Sequence, residues 1–310
     1  MLTIILAILP VVLVTSCGYL FKLSDFLNDD FWYGADKLAY YVLLPSLFVR
    51  LTATAELDRT FLGAPITLVI TITTLTVLML LSRRFISSSP PAFTSMYQGA
   101  VRFNSFVLLA VSLQLYGDAV GAVTAVCIAV VVPLVNLTSV AILSRYGKSH
   151  SAPSWRKLLM RLATNPLIDA CVIGLLINVT QLPVPTSILS SLEILGQAAL
   201  PLGLLCVGAG IDVRLLGSWQ PDIVITNVIK LIIKPLLVMG LGTLLGLEGL
   251  TFAATVLFAA MPTATSAYIL ARQLGGDDRL MATIVMSQTI FSALTVPMML
   301  FVFNRFVSGG

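Results

Sequence analysis

Arg102-Phe103-Asn104 places a guanidinium and an amide about ten residues inside an apolar run, where ~15 Å of helical rise reaches roughly the middle of a bilayer. A cation at that depth is costly, and the usual reason to keep one is a substrate or ion path. Counting on 159 positions from Arg102 leads to Met261-Pro262-Thr263, again deep in an apolar run and beside a helix breaker. A broken helix exposes unpaired N–H groups and the positive end of a half-helix dipole, both of which favour an anion. Asn104, Ser105, Thr263, Thr265 and Ser266 add side-chain donors and acceptors, and Arg102 can grip a carboxylate through two parallel hydrogen bonds. Phe103 and Pro262 complete the candidate substrate site. The plainer alternative is that Arg102 snorkels or pairs with a structural carboxylate while Pro262 only kinks its helix.

A second group of polar residues is placed to couple transport to an ion. Lys230 and Lys234 stand at i and i+4, with Asn227 three residues before them on the same helical face. They are expected to face protein, where they attract an anion, replace a coupling cation, or pair with Asp169 or Glu193. Asp169 follows Asn165-Pro166, so its carboxylate either stabilises a first helical turn or carries a proton. Asn136, Gln197 and Gln288 are expected to hydrogen-bond between helices.

No metal site or cofactor is expected. Cys17, Cys127, Cys171 and Cys206 sit in apolar runs and read as small core residues, and His150 stands alone in a loop. Asn28-Asp29-Asp30 reads as turn and capping chemistry.

The elements that must carry these residues are membrane spans. The chain is 58% hydrophobic and 10% charged with a mean hydropathy of +1.00. A soluble domain carries about 25% charged residues, so the bilayer is the expected solvent. Runs long enough to cross it lie at roughly 2–21, 36–54, 64–85, 92–115, 118–144, 155–179, 186–211, 221–246, 249–272 and 279–306. All are expected to be helical, because no alternating barrel pattern recurs. The first run lacks a preceding cation and a cleavage site, and is expected to be retained rather than removed as a signal peptide.

Between odd-numbered spans and their successors lie Lys22, Lys37, Arg83, Arg84, Arg145, Lys148, Arg156, Lys157, Arg161, Arg214, Arg272 and Arg279. Arg50, Arg59 and Arg305 fall on the other side. The excess places the odd loops in the cytoplasm and both termini outside it, in the inner (plasma) membrane.

The chain also repeats. Gly18 to Pro45 and Gly174 to Pro201 keep one spacing; Tyr116-Gly117-Asp118 answers Gly275-Gly276-Asp277; Val132-Pro133-Leu134 answers Val296-Pro297-Met298. A five-span repeat must be inverted relative to its copy, because an odd number of crossings reverses orientation. The expected organisation is therefore 1–147 as a first five-helix repeat, 148–154 as a cytoplasmic linker and 155–310 as the inverted second repeat. Paired midplane breaks in such halves point to a transporter's binding site.

At these residues the chain resembles the auxin efflux carrier family. Ile8-Leu9-Pro10 through Gly18-Tyr19-Leu20 is similar to its first span, and Tyr41-Val42-Leu43-Leu44-Pro45-Ser46-Leu47-Phe48 to its second. Arg102-Phe103-Asn104 resembles the break of the fourth, Ala199-Leu200-Pro201-Leu202 through Gly208 the seventh, Ala260-Met261-Pro262 through Ala271 the ninth, and Thr295-Val296-Pro297 the tenth. The short loop between spans five and six resembles bacterial members.

The resemblance implies an all-α, ten-helix membrane protein of PIN-like or bile-acid-symporter-like fold, with broken helices 4 and 9 crossing at the substrate. It further implies an elevator mechanism. Spans one, two, six and seven would form a scaffold, through which a homodimer could form, and the rest would move. Where the family has Gly or Pro in the first break, this chain has Phe103, which implies either shallower unwinding or an aromatic wall to a narrower pocket.

The resulting expectation is a secondary or potential-driven transporter of a mono- or dicarboxylate of malate or malonate type, with lipid as surroundings and no nucleic acid partner. No nucleotide-binding motif is present. A sodium-coupled symporter of bile-acid type is the nearest alternative, followed by a membrane enzyme or a sensory membrane domain.

Overall fold

The computed structural model describes residues 2–55, 62–148, 160, 164–214 and 220–308. Apart from Lys148, the expected linker lies outside the described residues, as do His150, Arg59, Arg156, Lys157 and Arg161.

Regular structure among the described residues is entirely helical. The first half contains α1 (Leu2–Leu23), α2 (Asp29–Leu38), α3 (Leu44–Ala53), α4 (Gly63–Ile86), α5 (Pro90–Val101) and α6 (Ser105–Tyr146). The second contains α7 (Pro166–Thr180), α8 (Thr186–Ala209), α9 (Pro221–Val228), α10 (Lys234–Leu244), α11 (Gly249–Ala260), α12 (Ser266–Leu274) and α13 (Asp278–Ser308).

Local chemistry explains the boundaries. Asn28 caps α2 by accepting from the Phe31 N–H at 2.9 Å, as expected of the Asn-Asp-Asp run. Ser89 and Pro90 open α5, and Asn165 and Pro166 open α7. A π turn, Ala39–Leu43, joins α2 to α3 ahead of Pro45, and a second, Ile229–Ile233, joins α9 to α10 ahead of Pro235. Proline has no N–H for the ladder and its ring collides with the preceding turn, so a widened turn lets the helix continue past it. The sixth span, expected from residue 155, is described as helix only over Pro166–Thr180.

Six stretches are long and apolar enough to cross a membrane, and Pro166–Thr180 and Gly249–Ala260 are shorter apolar helices. The stretch Pro90–Tyr146 is not one rod. It is interrupted at residues 102–104 and again at Gly117, whose φ of 72° and ψ of −165° suit glycine and reverse the chain.

By packing, the helices fall into two groups. Helix α1 lies on α8, and α3 lies on both α7 and α8. In the other group, α10 packs on α11 and α4, α11 on α6 and α13, and α5 on α6, α9 and α13. The groups also touch each other, α6 against α1, α3 and α8, and α13 against α1.

Close approach within the first group depends on missing side chains. A Cβ on Gly208 would lie 1.8 Å from the Thr15 carbonyl oxygen, and one on Gly18 would lie 2.1 Å from that of Leu205. Gly174 sits as tightly on Thr52 at 2.0 Å and Gly196 less so on Leu47 at 3.1 Å, while Gly203 lets α8 approach Phe106 of α6 at 2.2 Å. Cys127 and Cys171 are core residues as expected, whereas Cys17 is exposed on the outer face of α1.

Backbone cannot retreat as a side-chain tip can. Gly208→Ala is expected to cost about 1–3 kcal/mol through overpacking and to lower the melting temperature in detergent. Gly240→Ala, with nothing within 4 Å of its added carbon, should leave melting unchanged or raise it.

Candidate functional site

The two breaks meet. Helix α5 stops at Val101, residues 102–104 are extended, and α6 restarts at Ser105; α11 stops at Ala260 and α12 restarts at Ser266. The Asn104 N–H donates to the Pro262 carbonyl at 2.8 Å, so the segments paired by the 159-residue spacing are bonded to each other. The first break needs no glycine. Arg102 (φ −69°, ψ 163°) and Asn104 (φ −92°, ψ 109°) occupy the ordinary extended region, and Phe103 has no positive φ. Phe103 instead packs its ring on Phe258, with centroids 4.3 Å apart, and forms one wall of the adjoining cavity. The unwinding is kept and the aromatic wall is present.

The freed backbone groups find named partners. Asn104 Oδ1 accepts from the N–H groups of Phe106 (3.1 Å) and Val107 (3.2 Å), capping α6. Gln288 links the two breaks: its Oε1 accepts from the Thr263 N–H at 3.0 Å, and its Nε2 donates to the Gly99 carbonyl at 3.1 Å. The Thr263 hydroxyl faces the carbonyls of Arg102 (3.0 Å), Gln98 (3.3 Å) and Gly99 (3.3 Å).

Both span-eight lysines reach the same helix end. Lys230 Nζ donates to the Arg102 carbonyl at 2.5 Å and Lys234 Nζ to that of Val101 at 3.1 Å, with both side chains fully buried. The alternative pairing with Asp169 or Glu193 is not formed. Asp169 lies exposed in the first turn of α7, and Glu193 bonds Arg50 at 3.3 Å, which also holds Asp118 at 2.7 Å. Asn227 is taken up by a 3.0 Å hydrogen bond from its Nδ2 to Ser287 Oγ, joining α9 to α13. Of the four coupling candidates, only the lysines stand at the crossover.

Beside the crossing is a cavity of about 220 Å³, lined by Arg102, Phe103, Asn104, Ser105, Thr265 and Ser266 from the expected site, together with Asp36, Tyr40, Asn136, Cys206 and apolar neighbours. Arg102 spans it, donating from Nη1 to Asn136 Oδ1 at 3.1 Å and from Nη2 to Ser266 Oγ at 3.2 Å. Among the described residues no carboxylate forms an ion pair with Arg102. Helix α12 begins at this cavity without a side-chain cap, and the N–H groups of Ala267 and Tyr268 are held by the carbonyls of Ala264 (3.1 Å) and Thr265 (3.0 Å).

Two expectations need correction. Pro262 and Thr263 do not line the cavity; both are buried, with Thr263 turned onto the α5 carbonyls. The open space lies between Arg102, Asn104 and Ser266, not between Asn104 and Thr263. Conversely, Asn136 was expected only to hold helices together, and Asp36 and Tyr40 carried no expectation. An amide deep in an apolar run was the one signal, and nothing in the spacing ties residue 136 to residue 102. Gln197, the other expected interhelical donor, is exposed.

The family described as "Membrane transport protein" matches residues 3–300. An "Uncharacterized transporter" of Methanothermobacter thermautotrophicus is 27% identical over 295 residues, covering 94% of this chain and 95% of that protein.

Gln288 is completely buried and serves both breaks. Gln288→Leu is expected to orphan the Thr263 N–H and weaken the satisfaction of the Gly99 carbonyl, costing about 1–3 kcal/mol per group left unpaired. Melting in detergent measures this, with Gln197→Leu as the exposed control.

Proposed function

Because the chain belongs to the membrane transport protein family, the auxin efflux carrier group that its residues resemble, we propose that it carries a small organic anion, a mono- or dicarboxylate, across a membrane. The observation that carries this reading is Arg102. It reaches a solvent-accessible cavity, makes only neutral hydrogen bonds there, and faces the uncapped N-terminus of α12. A guanidinium and a helix N-terminus converging on one space complement a carboxylate. The cavity volume suits a compact metabolite, below the range of about 300–1,000 Å³ typical of drug-sized ligands.

The helical segments support a ten-span arrangement in two inverted repeats, with residues 90–116 and 249–274 as the broken pair. The division into two packing groups supports an elevator-type movement of α4–α6 and α9–α13 against α1–α3, α7 and α8. Tyr40, Leu167, Cys206 and Val207 lie near the helix ends that lead to the cation-rich odd loops. With those loops in the cytoplasm of an inner-membrane protein, the cavity opens inward. An anion leaving a negative interior gains about 2.3 kcal/mol per charge per 100 mV, so efflux needs no coupling ion.

Reconstituted protein should release labelled carboxylates from proteoliposomes in a panel of mono- and dicarboxylates under imposed pH, sodium and voltage gradients. Arg102→Ala is expected to lower that flux by about thirtyfold or more, the scale of losing 2–5 kcal/mol at a buried charge pair. Arg102→Lys should retain part of it, and Ser266→Ala should lose less than Arg102→Ala. Wild-type flux in properly folded Arg102→Ala protein would sink the assignment.

A further inference from the structure

At the opposite end of α5, ~16 Å of helical rise from its break, a cavity of about 190 Å³ is lined by Arg83, Arg84, Ser87, Ser88, Ser89 and Pro90. The arginines lie in the last turn of α4, and the serines form the turn into α5. That turn is fastened from α9. Ser88 gives both its hydroxyl and its N–H (3.4 Å) to the buried Asp222 carboxylate. The Ser87 hydroxyl donates to the Ser89 carbonyl at 2.8 Å. The Ser89 hydroxyl accepts from the Ala92 N–H at 3.3 Å, and among the described residues its own proton has no acceptor.

Cations gather here without acids to answer them. Arg83 lies over the Tyr146 ring at 4.4 Å from its centre, and Arg145 flanks the same ring at 5.8 Å. Among the described residues none of Arg83, Arg84 and Arg145 forms an ion pair, and the Asp222 carboxylate is taken up by Ser88. The negative end of the α4 dipole accounts for cations in that last turn. It does not account for a polar cavity between them and the serines. The adjoining surface is apolar. Leu78, Leu81 and Phe85 stand at i, i+3 and i+7 on α4 and are all exposed, Phe85 by 89%, so an apolar stripe ends beside Arg84.

We propose that this cavity binds the phosphate headgroup of an anionic phospholipid, in the leaflet that the cation excess assigns to the cytoplasm. Two guanidiniums and the Ser89 hydroxyl supply the charge and the forked donors that phosphate oxygens take. Basic pockets between helix ends on that side of a membrane suit such headgroups. The exposed stripe of α4 receives the acyl chains, which a soluble phosphate lacks. A lipid seated there bridges the end of α4 and the start of α5. The site is separate from the cavity at the crossover, and the inference does not depend on what the protein carries.

Delipidated protein in detergent, titrated with phosphatidylglycerol and read by native mass spectrometry, should retain a first lipid at concentrations where phosphatidylcholine is not retained. The double variant Arg83→Gln, Arg84→Gln should weaken that first binding step by about tenfold or more, from about fivefold for each cation near a membrane surface. Replacing both by lysine should keep part of the affinity. Lys22→Gln, which removes a cation of the same side outside the cavity, should bind like the wild type. Equal retention of the two lipids, or wild-type binding in the folded glutamine variant, would overturn the proposal. Glycerol phosphate displacing phosphatidylglycerol at equal concentration would overturn the lipid assignment in favour of a soluble phosphate. If the double variant fails to fold, Arg84→Gln decides alone. Arg84 is exposed and has no bonded partner among the described residues, so this variant should fold and lose about fivefold.

Discussion

Interrupting a helix in the middle of a membrane leaves N–H and C=O groups that neither water nor lipid can satisfy, and the centre of this protein is organised by that constraint. The interruption at residues 102–104 survives because groups it frees are met from elsewhere in the chain. Asn104 turns its own amide back onto α6, and its backbone N–H bonds across to Pro262. Gln288 serves both breaks at once, and two lysines and a threonine hydroxyl cover the α5 carbonyls. Remove these partners and the extended segment has no reason to stay extended. The position of Arg102 depends on that segment.

The two breaks divide the work unequally. The first contributes the guanidinium and an aromatic wall, and its own N-terminal amides are consumed by Asn104. The second contributes an uncapped helix start with Ser266 at its mouth, while its proline carbonyl and Thr263 are spent on the first break. Donors that line the cavity therefore come from both halves and meet only because the halves cross. The lysines stand behind the backbone rather than in the cavity, with their amino groups on carbonyl oxygens.

Cavity, crossover and helix grouping point to one economy of design. Small residues let α1 and α8 cross at backbone contact, giving one group a tight seam. The other group carries both breaks together with Arg102 and the buried Lys230 and Lys234. The cavity lies where residues of the first group, Tyr40 and Cys206 among them, close over the crossing. Movement between the groups would open and close that wall without disturbing the hydrogen bonds that keep the breaks intact.

By itself the sequence determined the helical membrane class, the positions of both breaks and their pairing, because hydrophobic run length, prolines and a fixed spacing are local quantities that lipid makes decisive. It also singled out Arg102, Asn104, Thr265 and Ser266, which line one cavity, and the glycines as points of close approach. What it could not supply was direction. Thr263 and Ser266 are both hydroxyls a few positions apart, yet one points at carbonyls and the other at open space. Lys230 and Lys234 are basic like Arg102, yet end on backbone oxygens rather than on a carboxylate. Asn136 and Tyr40 enter the cavity from helices whose register to Arg102 no period encodes. Which face a polar side chain presents, and what waits there, is settled only when distant helices pack, because an unpaired buried group goes to whichever partner the packing brings within reach.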